Sequence, residues 1–236
     1  MAILTSAPRT ASPTPRLEAG DHLDQATFHE RYEAMPPDFR AELIGGMVIV
    51  PSPLSSEHGI YHALVMGWLT TYWVATPGTW ARDNATAILG DTSEPQPDGA
   101  LVIDPACGGQ SALSDSGYAV GPPELIVEVA SSSESIDLNA KRYDYERAGV
   151  LEYVVVVIRQ RAVRWFVLQD GQYQKRQADA DGVFKSTVFP GLWLHQTALL
   201  QLEGAQVMEI LHQGLASPEH AKFVQQLQSR RETSSY

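Results

Sequence analysis

LIVEVASSSESIDLNAKRYDYERAGVLEYVVVVI, residues 125–158, is the stretch of sequence that decides the fold. Leu125 to Ala130 is a short, nearly continuous apolar run, which is typical of a buried central strand. Asp137 to Ala148 follows a polar loop and is closed by Gly149, as expected for a helix with a glycine C-cap. Glu152 to Ile158 is rich in valine and gives the strongest strand signal in the chain. The stretch therefore predicts a strand, a helix and a second strand.

The pattern continues on both sides of this unit. Upstream we expect helices at 24–34 and 57–74, a hairpin at 42–50 turning at Gly45-Gly46, strands at 80–89 and 97–103, and a loop at 104–123. Downstream we expect strands at 163–168, 172–176 and 182–188, a strand-like segment after Phe189, a helical turn at 197–202 and a helix at 218–231. This order predicts an α/β fold: a mixed β-sheet flanked by helices, with an N-terminal β-hairpin and extra C-terminal strands.

Length and composition set the domain plan. The 236 residues are 44% hydrophobic and suit one large domain with tails. We expect a disordered tail at 1–20, the main domain at 21–205 and a C-terminal helical extension at 206–236. No apolar stretch approaches the length that spans a bilayer, and the N-terminus lacks the apolar segment of a secretory signal. The single cysteine, Cys107, excludes an internal disulfide and a multi-cysteine zinc site, so we expect a cytoplasmic protein.

Asp98, Glu128 and Lys141 form the candidate catalytic set. Asp98 stands near the start of one predicted strand, Glu128 near the end of the next, and Lys141 in the first turns of the helix that follows. Two carboxylates and a backbone carbonyl, here that of Val129, can hold Mg²⁺ or Mn²⁺. The cation would activate water against a phosphodiester, and the lysine would orient that water or neutralise developing charge. Spacing alone favours a simpler explanation: a surface Asp, a strand-end Glu and a solvated Lys.

Charge is distributed unevenly along the chain. The net charge of −11 argues against a general polyanion binder. Residues 141–176 nevertheless hold eight basic and four acidic side chains. This basic segment either contacts phosphates or is a solvated face of two strands, and the sequence leaves both explanations open.

The chain resembles the Uma-two (Uma2) family, described as restriction endonucleases of the PD-(D/E)XK nuclease superfamily. The resemblance covers roughly residues 25–200. It rests on the ordered set Glu42-Leu-Ile-Gly-Gly, Ser52-Pro53, His58, Pro97-Asp98, PPELIVEVAS at 122–131, KRYDYERAGVLEY at 141–153 and Phe189-Pro190-Gly191-Leu192. Each piece is weak by itself, but the ordered set is specific.

The resemblance implies a restriction-endonuclease-like fold with Asp98 and Glu128 as metal ligands. The superfamily lysine usually stands two residues after the glutamate, where this chain has Ala130, so the resemblance implies that Lys141 on the helix replaces it. Glu42 is then a further acidic member, because many superfamily sites add an early glutamate. His58 would approach the substrate or the metal, although a histidine in the first turn of a helix is more often a surface or capping residue.

Two other residues are candidate accessory members of the site. Ser131 would shape the loop after Glu128 or touch the site. Tyr145 shares a helical face with Lys141, but packing between helix and sheet is the explanation that we favour for it.

Three functions are consistent with these observations. The first is a Mg²⁺-dependent endonuclease that acts on DNA, for which a homodimer would supply two sites for two strands. The second is a non-catalytic module that binds nucleic acid on the same fold. The third is a homodimeric scaffold, in which the C-terminal apolar stripe at 223–227 and the Trp193 segment form the interface.

Overall fold

The computed structural model describes residues 14–53 and 55–234, and a six-stranded β-sheet lies at its centre. The strands are β1 (Glu42–Ile44), β2 (Met47–Ile49), β3 (Thr79–Asp83), β4 (Ala87–Ile88), β5 (Gly99–Ile103), β6 (Ala112–Leu113), β7 (Ala119–Val120), β8 (Leu125–Ala130), β9 (Glu152–Val157), β10 (Ala162–Gln169), β11 (Gln172–Arg176), β12 (Val183–Lys185) and β13 (Trp193–His195). The order in the large sheet is β11-β10-β9-β8-β5-β3. Strands β8 and β9 are parallel, and the other neighbours are antiparallel. Three smaller sheets contain β1-β2, β12-β13 and β4-β7-β6.

Helices cover both faces of the large sheet. The α-helices are α1 (Gln25–Glu33), α2 (Ser56–Ala75), α3 (Arg142–Ala148), α4 (Gln196–Leu200), α5 (Gly204–Leu215) and α6 (Pro218–Ser234), with a 3₁₀ turn at Pro105–Cys107 and a π-helix at Ile136–Lys141. The π-helix and α3 together connect the parallel strands β8 and β9, as a crossover connection must. The predicted class, a mixed sheet flanked by helices with an N-terminal hairpin, is confirmed.

The alternation of side chains along β8 separates two cores. Leu125, Val127 and Val129 point into the larger core, which α2 and the C-terminal helices complete. Ile126 and Ala130 point to the opposite face, into a core that contains Tyr145 of α3. Glu128 stands between Ile126 and Ala130 in this alternation, so its side chain points to the same face as theirs. The pleat therefore directs Glu128 toward the π-helix and α3.

Several predicted elements differ in detail from the observed ones. The expected strand at 80–89 is two strands, because Asn84 has a positive φ of 47° and β4 leaves the large sheet to pair with β7. The expected loop at 104–123 contains the 3₁₀ turn, β6 and β7. The expected helix at 137–148 begins as a π-helix. Helix α5 lies largely within the predicted C-terminal helical extension, but it was not predicted as a separate helix.

The predicted hairpin is observed with the predicted turn. Gly45 and Gly46 both have positive φ, 59° and 79°, which is the backbone that a two-residue type I′ turn requires. Strand β1 is buried along its length, and its first residue, Glu42, accepts the backbone N–H of Gln96, which lies just before β5.

The chain packs before residue 21. Residues 1–13 of the predicted disordered tail lie outside the described residues. Leu17, however, is buried with Phe28 and Val48, and the backbone N–H of Gly20 donates to the carbonyl of Val48 at 2.9 Å. The predicted tail therefore extends too far, because the segment from Leu17 contributes to a small N-terminal core.

The C-terminal helices share the core of the main sheet. Val207 of α5 and Leu227 of α6 belong to the same buried cluster as Val127 and Val154. Phe223, on the apolar stripe proposed as a dimer interface, packs edge-on against Phe189 at 6.3 Å between ring centroids. This stripe is therefore occupied within the chain and no longer argues for an interface. No helix within 14–53 and 55–234 is long and apolar enough to cross a membrane.

Candidate active site

Asp98 and Glu128 lie opposite each other on neighbouring strands in the interior of the sheet, where β5 begins. Strands β5 and β8 are antiparallel with Gly99 opposite Val127, so the residue before β5 meets the residue after Val127. The backbone N–H of Val129 donates to Asp98 Oδ2 at 2.7 Å, and the N–H of Asp98 points to Glu128 Oε2 at 3.4 Å. Each carboxylate is thus linked to the other's strand.

Lys141 joins this pair from the π-helix. Its Nζ lies 3.0 Å from Glu128 Oε1 and 3.0 Å from Glu42 Oε1, and the residue is 6% exposed. Glu42 Oε1 also accepts the backbone N–H of Gln96 at 2.7 Å. The structure therefore brings Asp98, Glu128 and Lys141 together and places the predicted early acid, Glu42, beside the lysine.

Tyr145 lies one turn beyond Lys141 and serves two purposes. Its hydroxyl donates to Glu128 Oε1 at 2.8 Å. Its ring is fully buried and packs edge-on against Tyr153 at 5.0 Å. The packing position that we favoured is observed, and the hydroxyl contacts the site as well.

Two histidines of α2 flank Asp98. His58 Nε2 lies 3.4 Å from Asp98 Oδ2, and His62 Nε2 lies 2.9 Å from the backbone carbonyl of Asp98. His58 is 5% exposed, so the expectation of a surface residue is wrong for it. His62 was not singled out from the sequence. The sequence feature that could have identified His62 is its position one turn after His58 on the same helix.

Ser131 does not join the cluster. It follows β8 in a bend and is half-buried. Within the part of the chain that the structure describes, it makes no hydrogen bond or ion pair with the acids or with Lys141. The other role expected of Ser131, shaping the loop after β8, stays a prediction.

Asp137 is, with His62, a residue of the site that the sequence reasoning missed. It is 2% exposed, its Oδ1 lies 3.8 Å from Lys141 Nζ, and the hydroxyl of Ser133 donates to its Oδ2 at 2.5 Å. Its spacing of four residues before Lys141 was the available signal.

The pKa values of the clustered side chains reflect their burial and the sharing of the Lys141 ammonium among several carboxylates. Burial raises the pKa of Asp98, but hydrogen bonds from His58 and from the Val129 N–H outweigh it, and the net pKa is lowered. Burial raises the pKa of Glu128 well above its usual range, against the effect of Lys141. Burial likewise raises the pKa of Asp137 to about 6. Burial lowers the pKa of Lys141, but the carboxylates of Glu128, Glu42 and Asp137 more than compensate, and it is raised.

The pKa of His58 is raised as well. Its hydrogen bond to Asp98 has the largest effect, and burial opposes it without reversing the direction. Even with His58 protonated, Asp98, Glu128, Glu42 and Asp137 outnumber the cationic groups around them. Uncompensated buried charge is costly, and it can be relieved by protonation, in keeping with the raised pKa values of Glu128 and Asp137, or by an added cation.

The donor set suits a hard divalent cation that keeps water ligands. Among the described residues, Asp98 Oδ1 has no hydrogen-bond partner, and Glu128 Oε2 has only the long contact to the Asp98 N–H. Mg²⁺ is commonly held by one or two carboxylates with waters completing its octahedron. In the described ranges, no group of three or more His, Cys, Asp or Glu side chains is arranged to hold a metal. Asp98 and Glu128 are therefore the two side chains of the cluster that could together bind a cation.

The basic segment is mostly committed to contacts within the chain. The Arg142 guanidinium lies over the Phe166 ring at 5.5 Å, and an Arg161 nitrogen donates to the carbonyl of Leu200 at 3.1 Å. Arg159 differs: it is exposed, follows the end of β9, and has no hydrogen bond or ion pair within residues 14–53 and 55–234. Ile158, just before it, donates to the carbonyl of Ala130 at 3.0 Å, which places Arg159 beside the end of β8.

Comparison with known proteins identifies a similar fold and a family. A crystal structure described as that of a "putative nuclease belonging to DUF820" from Anabaena variabilis has a similar fold, with a TM-score of 0.57 and 14% sequence identity. The similarity covers 73% of this chain and 96% of that one. No curated protein matches the sequence. The family model "Uma2: Putative restriction endonuclease" matches residues 27–200, well over half of the chain, and includes every residue of the candidate site. The chain therefore belongs to the Uma2 family.

Proposed function

We propose that this protein is a metal-dependent endonuclease that hydrolyses phosphodiester bonds in DNA through Asp98, Glu128 and Lys141. The observation that carries the proposal is the contact of a buried lysine with Glu128 at 3.0 Å, beside Asp98, in a cluster with more carboxylates than cations. Membership of the Uma2 family supports the same class of reaction.

Asp98 and Glu128 would hold Mg²⁺ or Mn²⁺, with the backbone carbonyl of Val129 as a third ligand. A divalent cation in this position supplies Lewis-acid polarisation of the phosphate and a bound water of lowered pKa. Both carboxylates are oriented by groups of the chain itself, so little reorganisation accompanies ligand binding. This pre-organisation is what a catalytic metal site needs.

His58 and His62 would position Asp98. The His58 contact and the Val129 N–H both engage Oδ2, which leaves Oδ1 for a ligand. His62 engages the backbone carbonyl of the same residue. Together they hold the carboxylate and the start of β5 in one geometry.

Lys141 would act on the phosphate side of the site. Its raised pKa keeps it an ammonium at neutral pH, so it donates hydrogen bonds and does not serve as a base. Such a group can orient the attacking water or stabilise the negative charge that grows on the phosphate oxygens. Tyr145 would fix the orientation of Glu128 through its hydrogen bond to Oε1.

The remaining parts of the proposal concern substrate and assembly. DNA is the expected partner, and Arg159 is the candidate for a phosphate contact near the end of β8. A homodimer would place two sites on two strands. We propose a cytoplasmic location, in keeping with a single buried cysteine and no disulfide.

The test is cleavage of supercoiled plasmid and of single-stranded DNA during titration with Mg²⁺ and with Mn²⁺. The unsubstituted protein, Asp98→Asn and Glu128→Gln are compared with a matched control, Glu124→Gln. Glu124 is also a buried strand-end carboxylate, but it accepts the backbone N–H groups of Ile103 and Gln110 away from the cluster.

We expect cleavage by the unsubstituted protein and by the control, and a loss of at least about a hundredfold in the two site variants. Full activity in either site variant would refute the assignment. DNA binding without turnover under either metal would favour the non-catalytic binding module instead.

A further inference from the structure

Asp137 is held by both its side chain and its backbone. Its side chain accepts the Ser133 hydroxyl, and its backbone carbonyl accepts the hydroxyl of the buried Tyr153 at 2.9 Å. The backbone N–H groups of Ile136 and Asp137 both point to the carbonyl of Ser133, at 2.8 and 3.0 Å. The Ser133 hydroxyl, the Ser133 carbonyl and the Tyr153 hydroxyl therefore all hold the first turn of the π-helix.

This anchoring determines where Lys141 points. The π-helix runs from Ile136 to Lys141, so Asp137 is its second residue and the lysine its last. A π-helix closes i to i+5 hydrogen bonds, and short π segments are frequent at functional sites. Asp137 and Lys141 are both buried, whereas Asn139 and Ala140 between them are exposed. The turn directs both charged side chains inward.

The other two acids around Lys141 have further partners. Glu128 Oε1 also accepts the Tyr145 hydroxyl, and Glu42 Oε1 also accepts the N–H of Gln96. The proposed function would in addition commit Glu128 to a cation. Asp137 is then a carboxylate near the lysine with no role as a ligand. Glu42, 3.0 Å from Nζ, and Asp137, 3.8 Å from Nζ, are then the two carboxylates left to balance the buried ammonium, and the loss of either partner of a buried charge is destabilising.

We infer that Asp137 is a positioning residue for Lys141, holding its ammonium in the site while Glu128 serves the metal. This inference rests on the proposed function for its consequence in catalysis. It concerns a residue that acts through another, so its substitution should matter only when the lysine is present.

The test uses Asp137→Asn, Lys141→Met and the double variant, with Asp144→Asn as the matched control. Asn keeps an acceptor for Ser133 and removes the charge. Asp144 is also buried and lies on the adjoining α3, but its carboxylate accepts the backbone N–H of Gly45 and makes no ion pair with Lys141. The identical substitution there measures the effect of losing a buried carboxylate outside the lysine's contacts.

The first readout is urea unfolding without metal, which needs no activity. Asp137→Asn and Lys141→Met should be coupled, their joint effect on the unfolding equilibrium differing about tenfold from the product of the single effects. Asp144→Asn should show no coupling with Lys141→Met. Independent effects of Asp137→Asn and Lys141→Met would overturn the inference.

The second readout is DNA cleavage. Asp137→Asn should lower kcat about tenfold or more with KM nearly unchanged, Asp137→Glu should restore part of the loss, and Asp137→Asn should cost nothing further in the Lys141→Met background. An equal additional loss in that background would show a merely structural role and overturn the inference. Absence of cleavage by the unsubstituted protein would refute the proposed function, and the unfolding cycle would then still decide the placement of Lys141 by Asp137.

Discussion

Replacing Lys141 by methionine should destabilise the protein more than a typical substitution does. Methionine keeps most of the apolar stem, so the change chiefly removes the ammonium from between Glu128 and Glu42, each 3.0 Å away, and from Asp137 at 3.8 Å. At an effective dielectric constant of 20, a unit-charge pair 3.0 Å apart attracts by about 5 kcal/mol. Desolvation of the buried ammonium offsets several kcal/mol of that attraction. The remaining loss, after three carboxylates are left without their cation, is about 3–5 kcal/mol.

The assay is urea denaturation at pH 7 without divalent metal, followed by far-ultraviolet circular dichroism. Lys185→Met is the matched control, because Lys185 forms an exposed ion pair with Asp179 at 2.9 Å and should change stability by no more than about 1 kcal/mol. Adding Glu128→Gln to Lys141→Met should recover part of the loss, since it removes one of the uncompensated charges. A change below about 1 kcal/mol for Lys141→Met, or further destabilisation by Glu128→Gln, would refute the electrostatic account of the cluster.

Three further outcomes are expected. Burial lowers the pKa of His220, so the unfolded chain binds more protons below about pH 6.5 and stability should fall as the pH drops through that value. His220→Gln should flatten this dependence in urea titrations between pH 5 and 8, and an unchanged profile would contradict it. Mn²⁺ at about 100 times its Kd should stabilise the protein by about 2.7 kcal/mol, and Asp98→Asn should abolish the effect; equal stabilisation of both would exclude this ligand. Arg159→Ala should weaken binding to a random-sequence duplex and lower the salt slope by about 1, whereas Lys222→Ala should not, and equal affinity would rule out the contact.

The sequence predicts best where the fold depends on local patterns. Strands β8 and β9 were recognised because both faces of each are buried, which makes their sequences almost continuously apolar. Helix α1 was recognised through Asp24, whose carboxylate accepts the N–H of Thr27 at the N-cap. Helix α5 has no such signal. Glu203 at its N-cap makes no side-chain hydrogen bond, and Ala216 rather than glycine follows its last turn.

Strand pairing was harder to predict, because it depends on residues far apart in the chain. The segment at 80–89 contains one apolar pattern, yet Asn84 turns the backbone and sends Ala87 and Ile88 to a different sheet. The partner of that second piece is Ala119–Val120, inside a stretch rich in glycine and serine that predicts a loop. Nothing within either segment specifies the other.

The candidate site shows the same division between local and distant information. The closeness of Asp98 and Glu128 follows from two strand ends, and Lys141 follows from the helix between β8 and β9. These local features do not predict that the cluster is buried or that it includes Glu42, because Glu42 reaches the lysine from a hairpin about a hundred residues earlier. Lys141 could be assigned to a solvated helix face as long as the helix was taken as regular from its start. The observed segment is a π-helix whose last residue, Lys141, is buried, with its Nζ 3.0 Å from Glu128 Oε1 and 3.8 Å from Asp137 Oδ1. The connection between β8 and β9 therefore determines that Lys141 lies near Glu128, whereas its burial between Glu128 and Glu42 depends on how that connection packs against β1 and β8.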